Sequence, residues 1–344
     1  MQTSNRDKFP SFLITIDTEG DDLWSNPRQV TTRNAEFLPR FQSLCETYGF
    51  KPTYLANYEM ANSPVFREFG QDCLRRGQAE IGMHLHAWDN PPILPLTADD
   101  DHYHPYLIEY PDDTMRQKID YVTDLLENTF GVKMVSHRAG RWSFTTAYAR
   151  MLADRGFLVD CSVTPHVSWR ETLGDPHQQG GTDYTQFPED AYFLDLTDIS
   201  QSDNSPLLEV PTTIYSVHRP LIAALQRPFR QVPVARGVLR RLLPPAHWQS
   251  WLRPTGKNRQ DLLKVLDHAR KQRKEYVEFM LHSSELMPGG SPTFRDSYQI
   301  EALYDDLECL FSEARRSFQG RTLLEHHQRV AAQGNAPGEA EFSR

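Results

Sequence analysis

Short apolar runs alternate with amphipathic stretches along the first 160 residues, and nearly every apolar run leads straight into a polar cluster. Phe12–Ile16 is short and apolar enough for a buried strand. Thr31–Tyr48 is predicted helical, with Phe37, Phe41, Leu44 and Cys45 at helical spacing and Gly49 just past the end. Pro52–Leu55 is a second strand. Ser63-Pro64 supplies an N-cap followed by proline at the first helical position, and Gly77 closes that helix. The pattern continues with a strand at Ala79–Met83, a helix over Asp112–Phe130 ending at Gly131, a strand at Lys133–Ser136, a helix over Ser143–Arg155 and a strand at Phe157–Val159. Residues 165–206 read as long loops, and Leu207–Val210 as a short strand. Alternation resumes with a helix over Asp261–Arg273, a strand at Tyr276–Leu281 and a helix over Ser297–Ser317. Repeated strand–helix units with short connections require a parallel sheet, open or closed, whose functional groups gather at the C-terminal strand ends.

The polar clusters fall where that rule puts them. Strand one runs into Asp17-Thr18-Glu19, strand three into His84-Leu85-His86-Ala87-Trp88, the fourth into His137-Arg138-Ala139-Gly140-Arg141-Trp142, the fifth into Asp160-Cys161-Ser162 and the last into His282. His84 and His86 are two residues apart, so both rings project to one face of an extended chain. Two imidazoles beside carboxylates from a neighbouring strand end suit Zn²⁺ or a similar divalent ion. Asp17 and Glu19 share this spacing, so that one can bind metal while the other faces a reacting water. Arg138 would be costly to bury unpaired, and its expected role is to hold Asp17 ionised and oriented. His282 is a candidate general acid, with Asp160 expected to orient it and favour its protonated form.

Hydrophobic residues make up 39% of the 344, sufficient for a sizeable core. The net charge of −9 argues against nucleic acid as a partner. That charge is uneven: between Pro211 and Gln260 there are nine basic residues and no acidic one. Cys45, Cys73, Cys161 and Cys309 are far apart and contain no CxxC pair, which speaks for buried free thiols in a reducing compartment. No apolar run approaches the roughly 20 residues of a membrane-spanning helix. The polar first ten residues lack the form of a secretory signal, so a cytoplasmic location is expected.

The order of the clusters resembles the polysaccharide deacetylases with a NodB-homology domain, carbohydrate esterase family 4, as a divergent branch. Thr15-Ile16-Asp17-Thr18-Glu19-Gly20 is similar to the family's first motif, Thr-Phe-Asp-Asp-Gly, and Glu80-Ile81-Gly82-Met83-His84 to the approach to its histidine motif. Arg138-Ala139-Gly140-Arg141-Trp142 resembles the third motif, whose arginine tethers the catalytic aspartate. Asp160 with Ser162 resembles the fourth, and Leu281-His282 the fifth. Two departures stand out. Thr18 occupies the place of the usual metal aspartate, although Asp17-x-Glu19 fits a variant with base then ligand. The usual His-x-x-x-His is absent: four residues past His84 is Trp88, and four past His86 is Asn90, so that His86 is taken as the second ligand and a shifted reading stays open.

The resemblance implies a distorted (β/α) barrel of about seven parallel strands over residues 1–325, with the basic insertion 211–260 before the last strand and a disordered tail over 326–344. It implies a hydrolase that releases an N-acetyl or other N-acyl group from a sugar. The catalytic residues would be Asp17, His282, Arg138 and Asp160. The metal, Zn²⁺ with Co²⁺ or Ni²⁺ as alternatives, would sit on Glu19, His84 and His86, and the substrate would meet Trp88, Arg141 and Trp142. A backbone N–H near Arg141 or Trp142 would help hold the oxyanion. The run His86-Ala87-Trp88-Asp89 also resembles a deformylase branch that acts on lipid-linked aminoarabinose. A deformylase or other C–N amide hydrolase, and a non-catalytic carbohydrate-binding relative, are therefore the rival readings. Residues 219–260 interleave the basic residues with Trp and Leu, which suits a lipid-linked or nucleotide-linked glycan and peripheral attachment to an anionic membrane.

Overall fold

The computed structural model describes residues 9–25, 27, 29–172, 174, 180–218 and 247–334. Seven strands run parallel in the order β11 (Tyr276–His282), β1 (Ser11–Thr18), β2 (Pro52–Ala56), β3 (Glu80–Leu85), β4 (Ser136–Ala139), β5 (Val159–Asp160) and β8 (Leu208–Glu209). This is the distorted barrel expected from the sequence. A hairpin of β6 (Tyr192–Asp195) and β7 (Asp198–Ser202) extends it antiparallel from β8. It lies within the stretch 165–206 read as loop, where polar alternation on an exposed hairpin leaves little apolar signal. A short β12 (Gln319–Gly320) pairs with the start of β1. Between β8 and β11 the barrel is joined by single contacts rather than a ladder: the Glu278 backbone N–H donates to Thr213 Oγ1 at 2.8 Å, and the Tyr276 hydroxyl to the Pro211 carbonyl at 2.8 Å.

Side-chain alternation divides the strands into two faces. Outward, Phe12, Ile14 and Ile16 of β1 and Ile81, Met83 and Leu85 of β3 join the large core beneath the helices. These include α1 (Leu38–Tyr48), α3 (Pro64–Arg75) and α5 (Asp112–Phe130), with the expected Ser63 N-cap and with Gly49 and Gly131 closing α1 and α5 in left-handed conformation. Inward, the barrel floor is apolar, with Leu13, Leu55, Val159, Leu208 and Tyr276 in one cluster. Continuing up the same face, Leu13 gives way to Thr15 and Asp17, Tyr276 to Glu278, and Glu80 to Gly82 and His84. Gly82 is needed there, because a Cβ would meet the Ser136 carbonyl at 2.6 Å and Leu55 at 2.8 Å.

The strands therefore extend beyond their apolar runs. The fourth was expected at Lys133–Ser136 and forms instead over Ser136–Ala139, taking His137 and Arg138 into the ladder. The third reaches Leu85 and the first Thr18. Apolar patterning ends early because the inner face near the barrel top is polar.

The tail boundary also needs correction. Helix α9 (Leu323–Gly334) occupies residues 326–334, which the sequence reading placed in a disordered tail; residues 335–344 lie outside the described set. Its N-terminal amides are satisfied by the barrel floor, with Leu323 N–H donating to Thr53 Oγ1 at 3.2 Å and Leu324 N–H to Glu80 Oε2 at 2.9 Å. Leu323 is fully buried in the floor cluster, and His326 pairs with Ser11 at 2.9 Å. Leu323→Ala is expected to lower the unfolding free energy by about 2–5 kcal/mol in urea titration. A change below about 0.5 kcal/mol would show that this helix does not seal the barrel.

Candidate metal centre

At the upper end of the barrel, β1 delivers Asp17 and, just beyond its end, Glu19, while β3 delivers His84 and then His86. All four are buried. Glu19, His84 and His86 are, among the described residues, the one group of three or more acidic, histidine or cysteine side chains close enough to share an ion. His84 Nε2 lies 3.0 Å from His86 Nε2, and Glu19 Oε2 lies 3.4 Å from the first and 2.9 Å from the second. The Arg138 carbonyl can only accept, so His84 Nδ1 at 2.9 Å carries its proton and a neutral ring turns a lone pair inward from Nε2. Two imidazole nitrogens and a carboxylate this close require positive charge among them, from a proton or from a cation. The donor set fits a divalent metal, and Gly140 leaves room for the His86 ring, because a Cβ there would stand 2.7 Å from its Nδ1. His86 Nδ1 itself has no hydrogen-bond partner among the described residues.

Arg138 reaches inward from β4 and is fully buried. Its NH1 donates to Asp17 Oδ1 at 2.6 Å, NH2 to Glu278 Oε1 at 2.6 Å and to Thr15 Oγ1 at 2.7 Å, and Nε to the Cys161 carbonyl at 3.1 Å. Burial works against ionisation of Asp17, but Arg138, followed by His84 and His282, overcomes it and holds the carboxyl below its usual range. For Glu278 burial wins over Arg138 and the pKa is raised. Burial likewise opposes charge on Glu19, yet hydrogen bonds from His84 and His86 hold it well below normal. His84 is raised: burial disfavours the imidazolium, and Asp17 and Glu19 outweigh it.

His282, at the end of β11, places Nε2 3.7 Å from Asp17 Oδ2 and 3.8 Å from Glu19 Oε1. The expected partner Asp160 is engaged elsewhere. It accepts from His137 Nδ1 at 2.6 Å and from the Ser162 backbone at 2.9 Å, and His137 Nε2 meets the Tyr148 hydroxyl at 2.8 Å, all fully buried. The structure thus corrects the Asp160–His282 pairing. Glu285 takes that place: Oε2 lies 3.2 Å from His282 Nδ1 and accepts the His282 backbone N–H at 3.0 Å, while Arg253 spans Glu285 at 3.1 Å. Burial raises Glu285, but Arg253 and His282 pull it below its ordinary value. Its spacing, three residues past His282 on a single 3-10 turn (Ser283–Leu286), was the available sequence signal.

These groups open into a cavity of about 310 Å³. Trp88 and Trp142 line it, joined by Trp24, Trp169 and Tyr106, which the sequence alone did not single out. Trp24 stands edge-on to His282 at 4.9 Å, Trp88 lies 4.8 Å from His86, and Trp142 and Trp169 both pack against Trp251. Arg141 also lines the cavity. It and Trp142 adopt left-handed backbone, φ 54° and 57°, a strained pair for side-chain-bearing residues. Part of the basic segment is explained by pairing, since Arg253 meets Glu285 and Arg259 meets Asp306. The remainder of the proposed membrane segment, residues 219–246, lies outside the described residues. No described helix is long and apolar enough to cross a membrane.

A seven-stranded distorted barrel with polar groups converging at its C-terminal strand ends is the fold of the polysaccharide deacetylases. Two solved structures show the likeness. A protein from Parabacteroides distasonis, assigned as a glycoside hydrolase/deacetylase, superposes with a TM-score of 0.60 at 8% identity, covering 94% of this chain and 72% of its own. A protein from Mycobacterium smegmatis, assigned as a polysaccharide deacetylase, does so with a TM-score of 0.50 at 15% identity, covering 96% and 94%. No protein-family model and no curated protein sequence matches the chain.

Two outcomes follow from the site geometry. Arg138→Ala leaves Asp17 and Glu278 buried without their cation and is expected to cost about 3–5 kcal/mol in chemical denaturation; a loss under 1 kcal/mol would contradict the network. Zinc competes with the proton favoured on His84, whose bound form is lost as pH rises through its raised pKa. Apparent zinc affinity, read by equilibrium dialysis, should therefore climb as pH is raised beyond the ordinary histidine value of 6.5 and vanish in His84→Ala. A flat profile would place the ion elsewhere.

Proposed function

We propose that this chain is a divergent polysaccharide deacetylase, a metal-dependent hydrolase that removes an N-acetyl or similar N-acyl group from an amino sugar. The observation that carries this reading is the convergence of Glu19, His84 and His86 within 3.4 Å beside an ionised Asp17, inside an aromatic cavity. Glu19, His84 and His86 would hold the ion, which when bound lowers the pKa of water and polarises an acyl oxygen.

The chain's own residues supply the rest. Arg138 occupies Asp17 Oδ1, so Oδ2 is the oxygen free to take a proton from the attacking water. Arg138 keeps that carboxylate charged and fixed, which makes it a positioning residue. His282 faces the same space through Nε2 and gives a proton to the departing amine. Glu285 Oε2 and Arg253 both lie against Nδ1, at 3.2 and 3.1 Å, and fix the ring in the role first expected of Asp160. Trp88, Trp142 and Trp24 offer apolar ring faces to a sugar, whose axial C–H groups pack well on indole.

Asp17→Asn and His282→Gln are each expected to lower kcat by about 10²–10⁴-fold while zinc remains bound. The assay follows acetate and formate released from N-acyl amino sugars by zinc-loaded protein. Acetate as the main product supports the deacetylase, and formate the deformylase. Unchanged kcat in both variants would sink the assignment of acid and base, and no release from any N-acyl sugar would leave the carbohydrate-binding reading.

A further inference from the structure

We propose that the cavity selects an amino sugar carrying an anionic substituent, a carboxylate or a phosphate, which Arg141 and Tyr106 bind while the N-acyl group lies at the metal centre. The proposal rests on the deacetylase reading for the second group and names the substrate class that reading leaves open.

Three arginines approach this site, and two are already neutralised. Arg138 serves Asp17 and Glu278, and Arg253 serves Glu285. Arg141 makes no ion pair with any described residue, although it is exposed to the cavity. Its guanidinium lies 5.5 Å from the centre of the Trp88 ring, and that ring lies 4.8 Å from His86. The arginine and a candidate metal ligand thus both neighbour the same indole. The backbone there is not relaxed: the left-handed pair Arg141-Trp142 is fixed by the Ser143 N–H donating to the Gly140 carbonyl at 3.2 Å and by the Tyr184 hydroxyl donating to the Trp142 carbonyl.

Tyr106 supplies the second, independent observation. It is 1% exposed and lines the same cavity, and its hydroxyl makes no well-formed hydrogen bond among the described residues, with only looser polar approaches from Thr172 and Arg141. Burial raises its phenol while Arg141 and the Thr172 hydroxyl act against it, so the tyrosine and the arginine are within electrostatic reach. The ring is seated by a close approach of Gly181, where a Cβ would fall 3.1 Å from it. A buried donor without an acceptor is costly. Beside an unpaired guanidinium, the group that satisfies both is an oxyanion, because the fork of arginine matches carboxylate and phosphate geometry. A neutral sugar would leave the pair unmet, and sites built around polar groups reject ligands lacking the partner.

The test uses tryptophan fluorescence and calorimetry on the full chain, with and without zinc. The probes are N-acetylglucosamine, N-acetylglucosaminuronic acid and N-acetylglucosamine 1-phosphate. At least one acidic sugar is expected to bind ten-fold or more tightly than the neutral one, and whichever does so identifies the anion. The preference should shrink to two-fold or less in Arg141→Gln, persist in part in Arg141→Lys, and weaken in Tyr106→Phe. Equal binding of all three sugars, a preference that survives Arg141→Gln, or no binding of either acidic sugar would each overturn the proposal. Equal acetate release from neutral and acidic sugars would leave the deacetylase standing and remove the anion subsite. Tight binding of an acidic sugar without acyl release would do the reverse.

Discussion

The Arg138 guanidinium ties β4 to β1 and β11 through Asp17 and Glu278, with no water-exposed surface of its own. A buried cation is tolerable only if its donors are met, and four distinct acceptors meet them here. The same contacts settle the chemistry above. With Glu278 pushed up by burial and Asp17 and Glu19 both held below the usual carboxylate range, the barrel presents two ionised carboxylates beside the histidines. Replacing the network by apolar side chains would suit stability equally well, so its presence points to a requirement for charge at this height in the barrel.

Much of this was legible in the sequence because parallel strands collect polar residues at one end. His84 and His86 share a face by their spacing alone, and both meet Glu19. What failed did so for a common reason. Strand ends were placed where apolar runs stop, yet β4 begins at Ser136, where the run is finishing, because its inner face is polar. Asp160 was assigned to His282 by its position after a strand, but β5 lies against β4 and its carboxylate is taken by His137. Glu285 supplies the partner through a local turn that no periodicity marks. Helix α9 is polar enough to pass for a tail; its stability comes from capping by Glu80 and Thr53, residues more than 240 positions away in sequence.

The aromatic cavity was harder to foresee. Trp24, Tyr106 and Trp169 come from three separate loops, and only folding brings them to Trp88 and Trp142. Loops positioned by a rigid barrel are where substrate choice is expected to reside. On the proposed function, strand ends would carry the groups for bond cleavage, and the loops those that would read the sugar.

The central claim is that Glu19, His84 and His86 bind one ion beside Asp17. Anomalous diffraction at the zinc edge, from crystals grown with zinc, tests it most directly. The expected map has one strong peak at bonding distance, about 2.0–2.2 Å, from Glu19 and from an imidazole nitrogen of each histidine. A map with no peak there, or with its zinc at other side chains while these three stay unbound, would contradict the account.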